Sequence, residues 1–281
     1  MPNPTPAVRR VPVVANFGGG VDSTAMILGA MDRGWPAPTA VLFADTMGEK
    51  DETYAHVAEF SAVLISRGWP EVTVIRNTER PDGTTGPHES LEQECLTNET
   101  LPGLAFGHRG CSVKWKIQPM DRWISAQPWA IEAWERGEKI TRWIGYDAGE
   151  SSRSVEDSKR YEYRFPLREW SWSRRDCIDT IKAAGLAVPV KSACFFCPGS
   201  RKHEVIRLAR ERPDLFERAV AIERAAMPSL CSMAGLGRRY SWERLAKADA
   251  EQMRLFPEAP EMSCTGGCGD DYAPDEVEPH A

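Results

Sequence analysis

Gly18-Gly19-Gly20-Val21-Asp22-Ser23-Thr24 is the stretch of this chain best equipped for chemistry. Three consecutive glycines let the backbone turn tightly and bring several N–H groups close to one anion. A helix beginning near Asp22 adds unpaired N–H donors and a partial positive charge. The hydroxyls of Ser23 and Thr24 can donate to the same anion. The string from Phe17 to Thr24 therefore predicts a phosphate-cradling loop. The competing reading is a glycine-rich turn in which Asp22 or Ser23 merely caps the helix.

The cysteines are the second set. Eight occur, at positions 95, 111, 177, 194, 197, 231, 264 and 268. Cys194-x-x-Cys197 is a two-ligand clip whose spacing suits Zn2+ or an iron–sulfur cluster. Cys95, Cys177 and Cys231 read as small packing thiols. Lys114, Lys116, Arg153, Arg174, Arg175, Lys191, Arg201 and Lys202 fall in segments expected near the mouth of the site. Such residues can hold a triphosphate or a nucleic-acid backbone, arginine by two parallel bonds and lysine as a point charge. Most of them read equally well as ordinary surface pairs. Trp170 and Trp172 alternate on an extended segment and are expected to pack the core. His88 and His108 suggest no role.

These residues need elements to position them. Apolar runs at 11–17, 40–44, 72–75 and 140–146 predict four buried strands. Helical spacing predicts helices near 22–33, 52–67, 114–125, 128–136, 174–184, 201–210, 214–226 and 241–255. The alternation of strand and helix implies a parallel sheet with right-handed crossovers. Residues 77–109, rich in Gly, Thr, Pro and Glu, read as a long loop over the active face. No run of about 18 apolar residues predicts a membrane span. The polar, proline-rich start lacks the apolar core of a signal peptide, so a cytoplasmic location without membrane attachment is expected. The net charge of −6 is a local matter, because 257–281 holds seven acidic residues and no Lys or Arg. The rest of the chain carries +1, and the acidic tail is expected to be disordered.

Gly19-Gly20-Val21-Asp22-Ser23-Thr24 resembles the SGGxDS[ST] signature of the PP-loop ATP pyrophosphatase superfamily, with Gly18 in place of the usual first serine. Ala44-Asp45-Thr46-Met47-Gly48-Glu49 with Glu52-Thr53-Tyr54 resembles the "DTG…ET" segment of the phosphoadenylyl-sulfate (PAPS) reductase-like branch. Cys111-Ser112 with Lys114 to Met120 resembles its "CC..RK..PL" stretch, and Gly145 to Arg153 its "G…E…R" loop. Phe165-Pro166-Leu167-Arg168-Glu169-Trp170 with Cys194-Phe195-Phe196-Cys197-Pro198 resembles its "PL..W…CxxCP" ending. The matches cover roughly residues 11–205, in the family's order.

The resemblance implies an α/β fold, a Rossmann-like parallel sheet with helices on both faces (adenine nucleotide α-hydrolase-like). It implies a PP-loop domain over 1–205, followed by a helical extension over 206–256 and the acidic tail. It also implies ATP on Phe17 to Thr24 with Asp45 and Thr46, Mg2+ assisted by Asp22 or Asp45, and catalytic roles for Asp22, Ser23, Asp45, Lys114 and Arg153. Cys111 matches the first cysteine of the family's cluster-binding pair, which implies a 4Fe-4S cluster on Cys111, Cys194 and Cys197, with Zn2+ as the alternative. The fourth ligand stays open among Cys177, Cys231, Cys264 and Cys268.

The branch includes sulfonucleotide reductases and the ATP pyrophosphatases of DNA phosphorothioation. The chain lacks the reductases' ECGLH-type C-terminal segment. The expected activity is therefore adenylation of an acceptor with release of pyrophosphate, for sulfur transfer to a nucleic acid or a small molecule. The expected partners are an adenine nucleotide, a sulfur donor such as a cysteine desulfurase, and a nucleic-acid substrate. The alternatives are a PAPS reductase-type oxidoreductase and a non-catalytic nucleotide-binding component.

Overall fold

The computed structural model describes residues 10–78, 83–150 and 155–255. Five parallel strands, β1 (Val13–Asn16), β2 (Ala40–Asp45), β3 (Val72–Arg76), β4 (Ile140–Ile144) and β5 (Tyr161–Arg164), form one sheet in the order β3-β2-β1-β4-β5. This is an α/β, Rossmann-like arrangement.

The alternation of side chains along a strand explains the layers. Ala15, Val41 and Phe43 face α1 (Val21–Asp32), α2 (Asp51–Ser66) and α8 (Arg174–Ala183), where they meet Ala25, Leu28, Val57, Phe60 and Ile181. Val14, Ala40, Leu42 and Ala44 face the other way, onto Met120 and Ile124 of α5 (Gln118–Ser125) and Ala130 of α6 (Pro128–Glu135). Helices thus cover both faces, as parallel sheets require. Trp170 and Trp172 do pack the core, but from a short helix, α7 (Pro166–Glu169), and the turn after it rather than an extended segment. They press on Gly29 of α1, where an added Cβ would lie 2.7 Å from Trp172.

A third core lies beside the sheet. It joins α3 (Leu91–Thr97), α9 (Lys202–Glu211), α10 (Pro213–Ala226) and α11 (Trp242–Leu255) to the Cys194–Phe196 segment. One correction follows. The stretch 77–109 is not a continuous loop, because α3 forms within it, capped by Ser90, whose side chain accepts from the Gln93 N–H. Leu91 and Cys95 bury one face of this helix in the helical core, and that tertiary packing outweighs a polar local composition. The helical layer also recruits residues well upstream of 206, and position 205 lies inside α9. Strand β5 is the element that apolar patterning misses, since Tyr-Glu-Tyr-Arg carries no aliphatic residue. No helix among the described residues is long and apolar enough to cross a membrane. Arg153, Cys264, Cys268 and the acidic tail lie outside the described residues.

Candidate functional site

In this strand order the chain leaves β1 in one direction and returns to its other side as β4. The sheet's switch point therefore lies between β1 and β4, and a crevice opens past their C-terminal ends. A cleft of about 840 Å³ occupies this place.

Its floor is the glycine turn. Gly19 has φ +71°, and a Cβ there would lie 3.1 Å from Thr53 and 3.2 Å from Phe43. A side chain would thus be strained both by the backbone and by its neighbours. The Gly18 N–H donates to Ser23 Oγ at 3.0 Å, and Ser23 Oγ donates to the Gly20 carbonyl at 3.2 Å. Gly20 stands at the N-cap of α1 without any side-chain cap, so the helix presents its N-terminus to the cleft. Gly145 at the end of β4 comes so close that a Cβ would sit 3.0 Å from the Ser23 backbone.

The expected loop residues divide. Phe17, Gly18, Gly20, Val21, Asp22 and Ser23 line the cleft. Thr24 does not, because its buried hydroxyl donates to the Gly20 carbonyl at 2.8 Å and meets His56 Nε2 at 2.9 Å. Burial pushes the His56 imidazole below its ordinary value. Asp45 is buried and accepts from the Met47 N–H and the Tyr54 hydroxyl, both at 2.8 Å, and from Arg76 at 3.3 Å. It caps the turn after β2, where Met47 holds φ +60°, and does not line the cleft. Thr46 is buried against Cys194, its hydroxyl 3.0 Å from the thiol sulfur.

The lysines exchange places with expectation. Gly110–Ser112 (α4) and α5 are joined through a π-helical turn, Val113–Ile117, which sends Trp115 into the helical core. Lys114 pairs with Glu94 and does not line the cleft, whereas Lys116 does. Lys116 sits 3.1 Å from the fully buried Glu49 carboxylate, and Ser192 Oγ lies 3.4 Å from the same group. Ser192 also donates to the Gly18 carbonyl, so one chain of polar contacts ties Lys116 to the glycine turn. Although burial pushes the Lys116 ammonium down, Glu49 more than offsets this and holds it charged.

Two further arginines line the cleft. Arg174, at the start of α8, places Nη1 2.7 Å from both Asp22 oxygens. Arg142 on β4 is buried, bonded to Asp121 at 2.5 Å and Asn16 at 3.2 Å, with its guanidinium 5.1 Å from the Tyr161 ring. Sequence reading missed Arg142, Glu49 and Ser192. A charged residue alternating with aliphatics inside a strand is a usable signal for Arg142, but Glu49 and Ser192 offer none. With Lys191 and Arg201, the cleft carries five basic residues against two acidic ones, Asp22 and Glu150. The arrangement suits a polyphosphate.

Cys111, Cys194 and Cys197 meet at one edge of the helical core, with Cys197 close enough to interact with both other thiols. Cys111 and Cys197 are partly buried against the helical core, and Cys194 is buried there. Burial, together with Glu49, pushes the Cys194 thiol up to about 12. Among the described residues, no group of three or more His, Cys, Asp or Glu side chains is arranged to hold a metal ion. Cys95 and Cys177 are buried packing thiols, while Cys231 is exposed, contrary to expectation.

No protein-family model matches this chain, and no curated protein shows significant similarity to it.

Proposed function

We propose that the chain is an ATP-binding enzyme of the PP-loop type that adenylates an acceptor with release of pyrophosphate. The fold would then be of the adenine nucleotide α-hydrolase kind. The observation that carries this reading is an uncapped helix N-terminus behind a strained glycine turn, at the sheet's switch point, facing Lys116, Arg142, Arg174, Lys191 and Arg201. Backbone N–H groups of the turn and α1 bind the phosphates. Lys116 and Arg174 lie near enough to offset the charge that develops as the β,γ-phosphates depart.

Mg2+ keeps several waters and needs only one or two protein carboxylates besides phosphate oxygens. Asp22 and Glu150, the carboxylates that line the cleft, fit this demand. When bound, the ion withdraws charge from the phosphate oxygens. In the reaction an acceptor oxygen bonds to the α-phosphorus, the bond from that phosphorus to the bridging oxygen breaks, and pyrophosphate leaves. The acceptor's proton passes to solvent. Persulfide sulfur, of the kind a cysteine desulfurase carries, would then bond to the acceptor atom as the bond from that atom to the adenylated oxygen breaks and AMP leaves, and a thiol reductant would cleave the remaining S–S bond. No step is assigned to Cys111, Cys194 or Cys197.

The deciding experiment measures ATP binding by titration calorimetry, then pyrophosphate release with candidate acceptors. Binding of ATP that Gly19→Ala weakens at least ~10-fold is the expected result, on the strain such a φ imposes. Sulfite formed from an adenylyl sulfate would mark a reductase instead. Binding without pyrophosphate release under any acceptor would leave a non-catalytic nucleotide-binding component.

A further inference from the structure

The rim of the cleft carries cations that the fold leaves without acidic partners. Arg109, Arg201, Lys202, Arg238 and Arg239 are exposed, and none forms an ion pair among the described residues. The same helical layer treats other arginines differently. Arg210 pairs with Asp249, Arg212 with Asp51 and Asp214, Arg218 with Glu92, and Arg224 with Glu217 and Glu243.

Close contacts make the rim contiguous. Arg201 lines the cleft, and the Lys202 ammonium next to it lies 5.4 Å from the Tyr240 ring centre. Arg238, two residues before Tyr240, brings its guanidinium within 3.3 Å of where a Gly107 Cβ would be. His108 follows, its Nδ1 accepting from the Gly110 N–H at 3.1 Å, and Ser112 lines the cleft again. On this rim Phe106 is 42% exposed and lies nearly parallel to His108, ring planes 15° apart.

The turn that presents Arg238 is held at a cost. Arg238 has φ +62°, a region few side chains adopt, and Gly235 before it has φ +150°. Its anchor is Glu223, fully buried, which accepts from the Leu236 N–H at 2.7 Å and the Trp242 N–H at 2.9 Å. The buried Glu223 thus fixes from inside a turn that holds Arg238 and Arg239 at the surface.

We infer that this rim binds single-stranded nucleic acid and leads it to the cleft. Spaced unpaired cations follow a phosphodiester backbone, and an exposed aromatic face receives an unstacked base. A duplex would offer the cations the same phosphates but leave Phe106 without a partner. The inference names the acceptor class of the adenylating reading and rests on it for its meaning.

Fluorescence anisotropy with labelled oligonucleotides of one sequence, as single-stranded DNA, single-stranded RNA and duplex DNA, tests it with the full chain. Three to four phosphate contacts predict a roughly 20- to 50-fold loss of affinity between 50 and 200 mM salt, on a slope of ~0.7 per contact. Arg109→Ala with Arg239→Ala should lower that slope by about 1.4. Phe106→Ala should weaken single-strand binding roughly 10-fold with the slope unchanged. Arg210→Ala with Arg224→Ala, which removes only paired arginines, should change neither, and circular dichroism melting confirms that each variant folds. The DNA and RNA arms show whether the ribose hydroxyl contributes. No binding at 50 mM salt, tighter binding of duplex than of either single strand, or variants that bind as wild type would overturn the inference. ATP titrated separately into the same proteins keeps the two proposals apart, because oligonucleotide binding without ATP binding would sink the adenylating reading alone.

Discussion

Two turns in this protein lead into helices, and they treat the helix N-terminus in opposite ways. The turn before α1 leaves it open. Gly20 offers no side-chain cap, Ser23 and Thr24 tie the loop to itself, and the helix end faces the cleft. The turn before α11 fills it from inside, with the buried Glu223 carboxylate accepting from the Trp242 N–H and, at 3.3 Å, the Glu243 N–H, while Ser241 donates to it as well. A helix N-terminus attracts negative charge wherever it stands. At α11 the fold supplies that charge as a buried cap; at α1 the first-turn Asp22 is engaged by Arg174 and no side chain caps the helix, which leaves its end open to an external anion.

The comparison can be broken most forcefully at Glu223. Glu223→Ala should destabilise the protein by about 3 kcal/mol or more, since several buried N–H donors would lose their acceptor at ~1–3 kcal/mol each. Urea denaturation reads this, and ATP affinity should change little. An unchanged midpoint would show that the α11 cap is not structural.

Gly19→Ala should act the other way round. Its stability loss should be smaller, about 1–2 kcal/mol from the positive φ, while nucleotide binding suffers most. Equal damage by both variants to ATP binding would erase the distinction between the turns.

A milder effect follows from buried thiols. Burial pushes Cys95, Cys177 and Cys194 from an ordinary 9.0 to about 12. The unfolded chain therefore releases these protons first. Stability should be level below pH 9, fall through pH 9–12 and level off again. The expected slope is about 1.4 kcal/mol per pH unit for each thiol. Cys95 and Cys194 lie in the helical core, and Cys177 is on the buried face of α8 against the sheet-side core. Urea denaturation across pH 8–12 reads this, and a midpoint that does not fall between pH 9 and 12 would count against it.

The smallest effect is expected at Arg224. Its carboxylate partners are exposed, so Arg224→Ala should leave the melting temperature within error of wild type.

Local pattern made much of this molecule legible. The apolar run ending in three glycines, with helical spacing after it, forecasts β1, the turn and α1, because backbone freedom and side-chain period are properties of neighbouring residues. The aliphatic runs at β2, β3 and β4 and most helices follow the same logic. Strand β5 escapes it, since Tyr161 and Tyr163 become core only through stacking over Arg142. Helix α3 escapes it because its apolar face is narrow and finds its partner in α10, more than 100 residues further on.

The sequence by itself determined an α/β chain with an anion-ready turn after its first strand. Only the tertiary structure decided that the turn faces β4, that Lys116 rather than Lys114 reaches the cleft, and that Asp45 caps a turn away from it. It also brought Glu49 to Lys116 from 67 positions away and aimed Glu223 at α11. The physical reason is common to these cases. A charged side chain acquires its role from the partners that burial forces on it, and those partners are adjacent in space, not along the chain.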